Sequence, residues 1–206
     1  MSTLVDIRVL ELLSARLCHE LISPVGAIGN GVELLGEDDP EFVRDAVALI
    51  GQSARKAAQR LQFYRFAYGT LTPGSSGGPD PRELVGGLLD GGKVTCEWGS
   101  AALALATEWH KLACNMVVLA VEALPRGGTV QVAVPSAGRG LSVAARGDSV
   151  NFTAEASTAI ERSTKLDDLT SRTVQGYFTA CLAVRLGAPL VAAVETDHLT
   201  LTASGG

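Results

Sequence analysis

The sequence predicts an α+β protein in which an N-terminal helical hairpin precedes a mixed α/β domain. Apolar residues recur every three or four positions over most of residues 1–70, whereas short helix-like and strand-like segments alternate over 81–206. Between them, residues 71–80 are rich in Gly, Ser and Pro and are typical of a linker. We therefore expect a hairpin, a linker and an α/β domain with these boundaries.

The first helix is expected over about residues 4–36. Its apolar residues follow one another at a period of about 3.5, which is typical of the seam of a helical bundle. The seam consists of Ile7, Leu10, Leu13, Leu17, Leu21, Pro24, Ile28, Val32 and Leu35.

The second helix is expected to begin at Pro40, with Asp39 as its N-cap, and to end at about Tyr68 before Gly69. One side of it carries Val43, Val47, Ile50, Ala54, Ala57, Leu61, Tyr64 and Tyr68. A two-helix hairpin has no third layer to cover its seam, and two copies would cover each other. We therefore predict a homodimer held by a four-helix bundle.

Beyond the linker, the pattern predicts alternating helices and strands. Helices are expected near 81–90, 107–124, 152–162 and 172–187, and strands near 93–98, 129–134, 140–146, 189–195 and 198–203. Gly127 and Gly128 predict a helix-to-strand turn.

Composition excludes several classes of partner. The net charge is −5 and there is no Lys/Arg cluster, which argues against nucleic acid and anionic membrane as ligands. No apolar stretch reaches the ~20 residues that cross a bilayer, and the first residues lack a secretion signal, so we expect a soluble cytoplasmic protein. The four cysteines are far apart in sequence, which predicts reduced thiols rather than a zinc site or disulfides.

His19 is the main candidate for chemistry. It lies about 200° around the helix from the seam positions Leu17 and Leu21, so it should point into solvent. Pro24 removes the backbone hydrogen bond to the Glu20 carbonyl and should kink the helix one turn later. A helix that stops at Ser23 and a new one that starts at Pro24 is the plainer alternative. The expected His19 face is mostly small and leaves room for a partner helix: Leu12, Ala15, Arg16, Ile22, Ser23, Gly26, Ala27 and Asn30.

The segment His-Glu-Leu-Ile-Ser-Pro at 19–24 resembles the phosphoacceptor box of two-component histidine kinases. The resemblance implies that His19 accepts a phosphoryl group and that Glu20 orients its imidazole. Glu20 as an ordinary solvated carboxylate is nearly as good an interpretation. Ser23 replaces the Thr or Asn that positions a hydrolytic water in kinases, and it also occupies the second ligand position of a zinc motif H-E-x-x-H, which excludes that motif.

The rest of the chain resembles a degenerate version of the kinases' ATP-binding domain. Asn115 matches the first Asn of the family's N-box, but Leu119 replaces the second, which holds the Mg²⁺ of ATP. Ala145 replaces the carboxylate that reads adenine, and Gly176 is what remains of the last glycine-rich box. An intact hairpin with a degenerate ATP domain resembles the ChpT-type histidine phosphotransferases of alphaproteobacterial phosphorelays.

This resemblance implies that the chain relays phosphate without binding ATP. The donor would be the receiver domain of a hybrid histidine kinase, and response regulators, with the CtrA type as a candidate, would be the acceptors. No cofactor is expected on this chain, because the receiver domain would supply Mg²⁺. Arg16 could meet acidic residues of a regulator, although a surface Arg is usually only solvated, and His110 and His198 are expected to be structural. An ATP-dependent histidine kinase and a non-catalytic, regulator-docking dimeric adaptor are the alternatives.

Overall fold

The computed structural model describes residues 6–70, 78–135 and 140–205. It consists of two long helices followed by a five-stranded mixed sheet with helices, which confirms the predicted α+β class. The helices are α1 (Ile7–Leu34), α2 (Pro40–Tyr68), α3 (Pro81–Leu89), α4 (Ser100–Leu103), α5 (Thr107–Glu122), α6 (Ala154–Ile160) and α7 (Val174–Arg185). The strands are β1 (Val94–Trp98), β2 (Gly128–Ala133), β3 (Leu141–Arg146), β4 (Leu190–Val194) and β5 (His198–Ala203).

Helix α1 is continuous through Pro24, so the alternative of two separate helices is wrong. The Asp6 side chain caps its N-terminus by accepting a hydrogen bond from the Arg8 amide at 2.8 Å. Residues 4–5 of the predicted helix lie outside the described residues, and residues 35–36 form the turn after it.

Helix α2 begins and ends where the sequence predicts. The Asp39 carboxylate accepts a hydrogen bond from the Glu41 amide at 2.9 Å, and Pro40 occupies the first helical position. The helix ends before Gly69, whose carbonyl accepts a hydrogen bond from the Lys111 ammonium group of α5. A cation at this position complements the negative end of the α2 dipole.

The sheet has the strand order β1-β2-β3-β5-β4, with β1 and β2 parallel and the other neighbours antiparallel. Alternate residues of the central strands face α5 and the core, as the period of two requires. Gly127 and Gly128 adopt φ values of +100° and +148°, which confirms their predicted turn. Helix α4 and a 3₁₀ turn over Leu166–Asp168 were not predicted.

The end of the hairpin and the α/β domain share one core. Phe63 and Ala67 of α2 are fully buried and pack in the same cluster as Leu112 and Met116 of α5. Residues 71–77 of the predicted linker lie outside the described residues. The last turns of α2 therefore anchor the hairpin to the domain.

The far part of the hairpin exposes much of its predicted seam within a single chain. Pro24 is buried and Leu21 is half-buried, but several seam residues are 41–71% exposed. The exposed seam residues are Ile7, Leu10, Val32 and Leu35 on α1 and Val47 and Leu61 on α2.

Two further expectations concern the whole chain. All four cysteines lie among the described residues and are free thiols, as predicted. None of the helices within 6–70, 78–135 and 140–205 is long and apolar enough to span a bilayer.

Candidate functional site

His19 lies on the exposed side of α1, one turn before Pro24, as the sequence predicts. Several residues predicted to share its face are also exposed, and Ile22 has 69% of its surface accessible. The exposed members of the predicted face are Ala15, Ile22, Ser23, Gly26 and Asn30, while Ala27 is half-buried. The structure therefore brings His19 and Ser23 to an open surface lined mainly by small residues.

Leu12 and Arg16 do not belong to that open surface. Leu12 packs against a small cluster formed by Val9, Leu169 and Val174. Only 10% of the Arg16 side chain is exposed. Two parts of the α/β domain cover this stretch of α1: the segment before α7 and the end of α5. The sequence prediction treated the hairpin as free of the second domain, and this is why it placed both residues in solvent.

Arg16 joins α1 to the α/β domain through an ion pair. Its guanidinium donates to the Glu122 carboxylate at the end of α5 and to the Ser171 carbonyl at 3.3 Å. Burial by itself would lower the pKa of Arg16, but Glu122 together with Tyr68 and Tyr64 outweighs that effect and raises the pKa, so the group stays a cation. Arg16 is thus occupied within this chain and is not a free docking residue.

Two tyrosines of α2 lie beside this ion pair. Burial raises the pKa of Tyr68 to about 12, and its hydroxyl donates to the Gln175 side-chain oxygen at 2.6 Å. Burial also raises the pKa of Tyr64, and the Glu20 carboxylate adds to that rise. Both phenols therefore stay protonated and pack behind the His19 helix, and the Tyr68 hydroxyl is also a hydrogen-bond donor.

Glu20 turns towards α2. Its carboxylate lies 2.5 Å from Nη1 of Arg60, and the same nitrogen donates to the Glu20 backbone carbonyl at 2.8 Å. That carbonyl is the one that Pro24 leaves without its helical donor. Among the described residues, no hydrogen bond joins Glu20 to His19, so the predicted orienting contact remains a prediction.

The segment that resembles the kinases' N-box is built as core. Asn115 is fully buried, and its amide nitrogen donates to the carbonyls of Ala67 at 3.0 Å and Lys111 at 2.8 Å. Its side-chain oxygen accepts from the Gln175 amide at 3.0 Å. Both donors and the side-chain oxygen of Asn115 are thus engaged, and two of these hydrogen bonds fasten α5 to α2 and α7.

The residues expected at the adenine and metal positions are apolar and buried. Ala145 on β3 is fully buried and Leu119 on α5 is 4% exposed. An open cleft of about 340 Å³ remains beside Leu119, between α1, α5, α6 and the start of α7, and Arg16 and Glu122 form part of its wall. Helix α1 therefore contributes its own side chain to the place where the resemblance expects a nucleotide.

The two remaining histidines have partners within the fold. His110 Nε2 lies 3.1 Å from the Ala102 carbonyl, and its ring packs edge-on against Trp98. His198 lies 3.2 Å from each of two carboxylates, those of Asp197 and Glu195, at the tip of the β4–β5 hairpin. Within the described ranges, no group of three or more His, Cys, Asp or Glu side chains could hold a metal ion.

Sequence reasoning missed Arg60, Glu122 and Gln175 as members of this region. Each pairs with a residue at least 40 positions away in sequence, and neither period nor motif reveals such a pair. The one available signal was Pro24, since a helical proline leaves a carbonyl that needs another donor.

The fold and site define a class: an α+β protein in which a helical hairpin presents an exposed histidine and is anchored to a five-stranded domain. A family model described as the C-terminal domain of histidine phosphotransferases matches residues 78–198. The chain therefore belongs to the histidine phosphotransferase family.

Two individual proteins show the same relationship. Over 125 residues, 59% of this chain, it is 42% identical to the protein phosphotransferase ChpT of Brucella abortus strain 2308, and the match spans 58% of that protein. A solved structure of a bacterial phosphotransferase is 28% identical, covers 98% of this chain and is covered to 98% itself, with a TM-score of 0.76. The family suggested by the 19–24 segment and the degenerate domain is thus confirmed.

Proposed function

We propose that this chain is a phosphorelay histidine phosphotransferase that carries a phosphoryl group on His19. The observation that supports this most directly is the exposed position of His19 on a helical hairpin in a chain of this family. In line with the sequence prediction, the reaction would take place in the cytoplasm between receiver domains.

The proposed chemistry needs little from this chain beyond a presented imidazole. A ring nitrogen of His19 attacks the phosphorus of an aspartyl phosphate on the donor, so that an N–P bond forms and the acyl O–P bond breaks. The second transfer reverses this step onto the acceptor's aspartate. The transition state depends mainly on in-line positioning and charge neutralisation, and the receiver's Mg²⁺ would provide the latter.

Glu20 and Ser23 keep supporting roles in the proposal. Glu20 would help orient the ring through the helical turn that its contact with Arg60 holds, and the exposed Ser23 hydroxyl would position a hydrolytic water only weakly. The exposed residues Ala15, Ile22, Gly26 and Asn30, with the half-buried Ala27, offer the docking surface for a receiver helix. The proposed donor is the receiver domain of a hybrid histidine kinase, and the acceptors are response regulators, with the CtrA type as a candidate.

We also propose that the chain does not use ATP as a phosphoryl donor. The side-chain amide of Asn115 is already hydrogen-bonded to Ala67, Lys111 and Gln175. These hydrogen bonds would have to break before Asn115 could bind a nucleotide. Leu119 and Ala145 lack the groups that would bind the metal and the adenine. Polar groups of ATP left without partners would each cost about 1–3 kcal/mol of binding free energy.

A homodimer is the third part of the proposal. Exposed apolar side chains continue along both helices of the hairpin, and a contiguous surface of this kind usually marks an interface. Away from the His19 face, these side chains include Ile7 at 71% exposure, Leu10 at 61%, and Phe42 and Val47 at 57% each. Two copies packed as a four-helix bundle would cover these residues and leave His19 outside.

The test is transfer of label from a receiver domain phosphorylated with ³²P. We expect wild-type protein to acquire acid-labile, base-stable label and His19→Gln to acquire none. His198→Gln is a matched control, because it removes a histidine held by surface carboxylates and should label like wild type. Receiver binding without any label would support the adaptor instead.

A second arm replaces the receiver with labelled ATP and Mg²⁺. No label on His19 is the expected result. Rapid labelling from ATP would contradict the relay-only proposal and favour the histidine kinase.

A further inference from the structure

We infer that Arg60 is a positioning residue for phosphotransfer, which holds the helical turn that follows His19 and keeps the Glu20 carboxylate off the imidazole. The inference rests on the proposed function of His19. It is carried by a double contact: one nitrogen of Arg60 reaches both the backbone and the side chain of Glu20.

The backbone contact replaces the helical hydrogen bond that Pro24 cannot make. In an α-helix the Glu20 carbonyl would accept from the amide of residue 24, but residue 24 is proline and has no N–H. Arg60 Nη1 of α2 donates to this carbonyl instead, at 2.8 Å. Pro24 is buried and the contact between Arg60 and the Glu20 carbonyl is partly buried, so leaving that carbonyl unpaired would cost free energy.

The second contact holds the negatively charged Glu20 carboxylate, which follows His19 in sequence, against α2. Glu20 Oε2 lies 2.5 Å from Arg60, and 33% and 28% of the Arg60 and Glu20 side chains are exposed. The other titratable groups around Glu20 are Tyr64 and Tyr68 on α2 and Glu122 on α5. Arg16 lies one turn earlier on the same helix. Arg16 and Glu122 pair with each other, which leaves Arg60 as the cation bonded to Glu20.

This arrangement has a consequence for the transfer step. When the N–P bond forms, the attacking imidazole carries an extra positive charge until its other ring nitrogen gives up a proton. With Glu20 held on α2, that proton leaves to water and the free ring is not paired with a carboxylate. A released Glu20 would reach towards the ring, favour its protonated form and reduce the fraction of neutral nucleophile at a given pH.

Three variants separate the two contacts. Arg60→Ala removes both the donor and the charge, Arg60→Gln replaces the cation by a neutral donor on a shorter side chain, and Arg60→Lys retains the charge with slightly less reach. Arg55→Ala is the matched control, because Arg55 is an exposed arginine of the same helix. Circular dichroism and thermal unfolding establish that each variant is folded.

The measurement is the single-turnover rate of phosphoryl acceptance from a labelled receiver between pH 5.5 and 8.5. We expect Arg60→Ala to slow the reaction about 10-fold to 100-fold, as misplaced reacting groups do, and to move its pH midpoint upward by about 0.5–1 unit. Arg60→Gln, whose shorter amide holds the turn less well, should lose less rate than Arg60→Ala but show the same upward shift, and Arg60→Lys should come nearest to wild type. Adding Glu20→Gln to Arg60→Ala should return the midpoint to the wild-type pH, since no carboxylate remains to be released.

The outcomes distinguish this inference from the function on which it rests. If wild-type protein acquires no label, the relay proposal fails before Arg60 is considered. If wild type is labelled, the inference is overturned by an Arg60→Ala or Arg60→Gln variant with the wild-type pH midpoint, whatever its rate. A slower reaction without a shifted midpoint would mean that Arg60 only stabilises the hairpin.

Discussion

The hairpin and the α/β domain bury their apolar residues in different ways. Leu112 and Leu201 of the domain are fully buried within one chain, whereas Leu10 and Ile7 of the hairpin are 61% and 71% exposed. The domain core is therefore complete in a single copy, while the hairpin is complete only where it meets the domain. His19, the proposed phosphoacceptor, lies on the incomplete element, where the proposed dimer partner and receiver domain would supply the missing surfaces.

The sharpest test of this difference compares leucine deletions in the two regions. Leu201→Ala should lower the free energy of unfolding by about 2–5 kcal/mol, because it leaves a cavity in a closed core. Leu10→Ala should cost a single chain less than about 1 kcal/mol, since the side chain is already exposed. It should instead weaken the proposed dimer by about 1–2 kcal/mol, which is about 5-fold to 30-fold in its dissociation constant.

Denaturant unfolding at two protein concentrations and sedimentation equilibrium give these two quantities. The loss caused by Leu201→Ala should not depend on protein concentration. A dimer constant unchanged by Leu10→Ala would contradict the assignment of the exposed seam to the interface.

The second prediction concerns the joint between the two regions. Lys111 is 4% exposed and donates to the carbonyl of Gly69, the residue that follows α2. Burial, with a smaller contribution from Arg185, lowers the pKa of Lys111 from 10.5 to about 8. Above pH 8 the unfolded chain therefore binds a proton that the folded chain has released, so stability should rise with pH in this window.

The rise attributable to Lys111 should reach about 1–2 kcal/mol between pH 8 and 9.5. Lys111→Met removes the titrating group and should lose this rise, so the stability difference between wild type and variant changes with pH. Chemical unfolding of both proteins at pH 7, 8, 8.75 and 9.5 measures it. Parallel curves over this range would mean that the buried ammonium is not destabilised.

The sequence predicted the elements well because their signals are local. The period of about 3.5 in α1 and α2, the Asp39-Pro40 start and the Gly127-Gly128 turn each depend on residues within a few positions of one another. Helix α4 was not predicted, because its four residues are too few to show a hydrophobic period. The exposure of His19 followed from the same local geometry and agrees with the structure.

The sequence could not predict contacts between residues that are far apart in the chain, because these depend on which surfaces of the helices meet in the fold. Arg16 looked exposed because its position on α1 was opposite the seam, yet Glu122, 106 residues later, pairs with it. Arg60 is separated from Glu20 by 40 residues, and only the folded hairpin brings it to the carbonyl that Pro24 leaves free. Local patterns state which groups need partners, and the fold decides which groups supply them.

The smallest predicted effect separates two glycines within α1. A Cβ added to Gly31 would lie 2.7 Å from Ile50 Cγ1 and 3.3 Å from the Ala46 carbonyl, whereas one added to Gly26 meets nothing within 4 Å. Gly31→Ala should therefore lower the free energy of unfolding by about 1 kcal/mol, because the clash with α2 exceeds the gain in helix propensity. Gly26→Ala should raise it by about 0.5–1 kcal/mol, because only the propensity gain applies.

A large side chain at position 26 should therefore affect docking of the receiver domain rather than the stability of the fold. Gly26→Phe has room in a single chain but would fill the exposed face beside His19, so we expect a stable dimer that accepts phosphate more slowly. Thermal unfolding, sedimentation and receiver-transfer rates of the Ala and Phe variants measure these effects separately. Equal transfer rates for wild type and Gly26→Phe would show that the receiver does not dock on this face, and the docking surface would have to be sought along another side of α1.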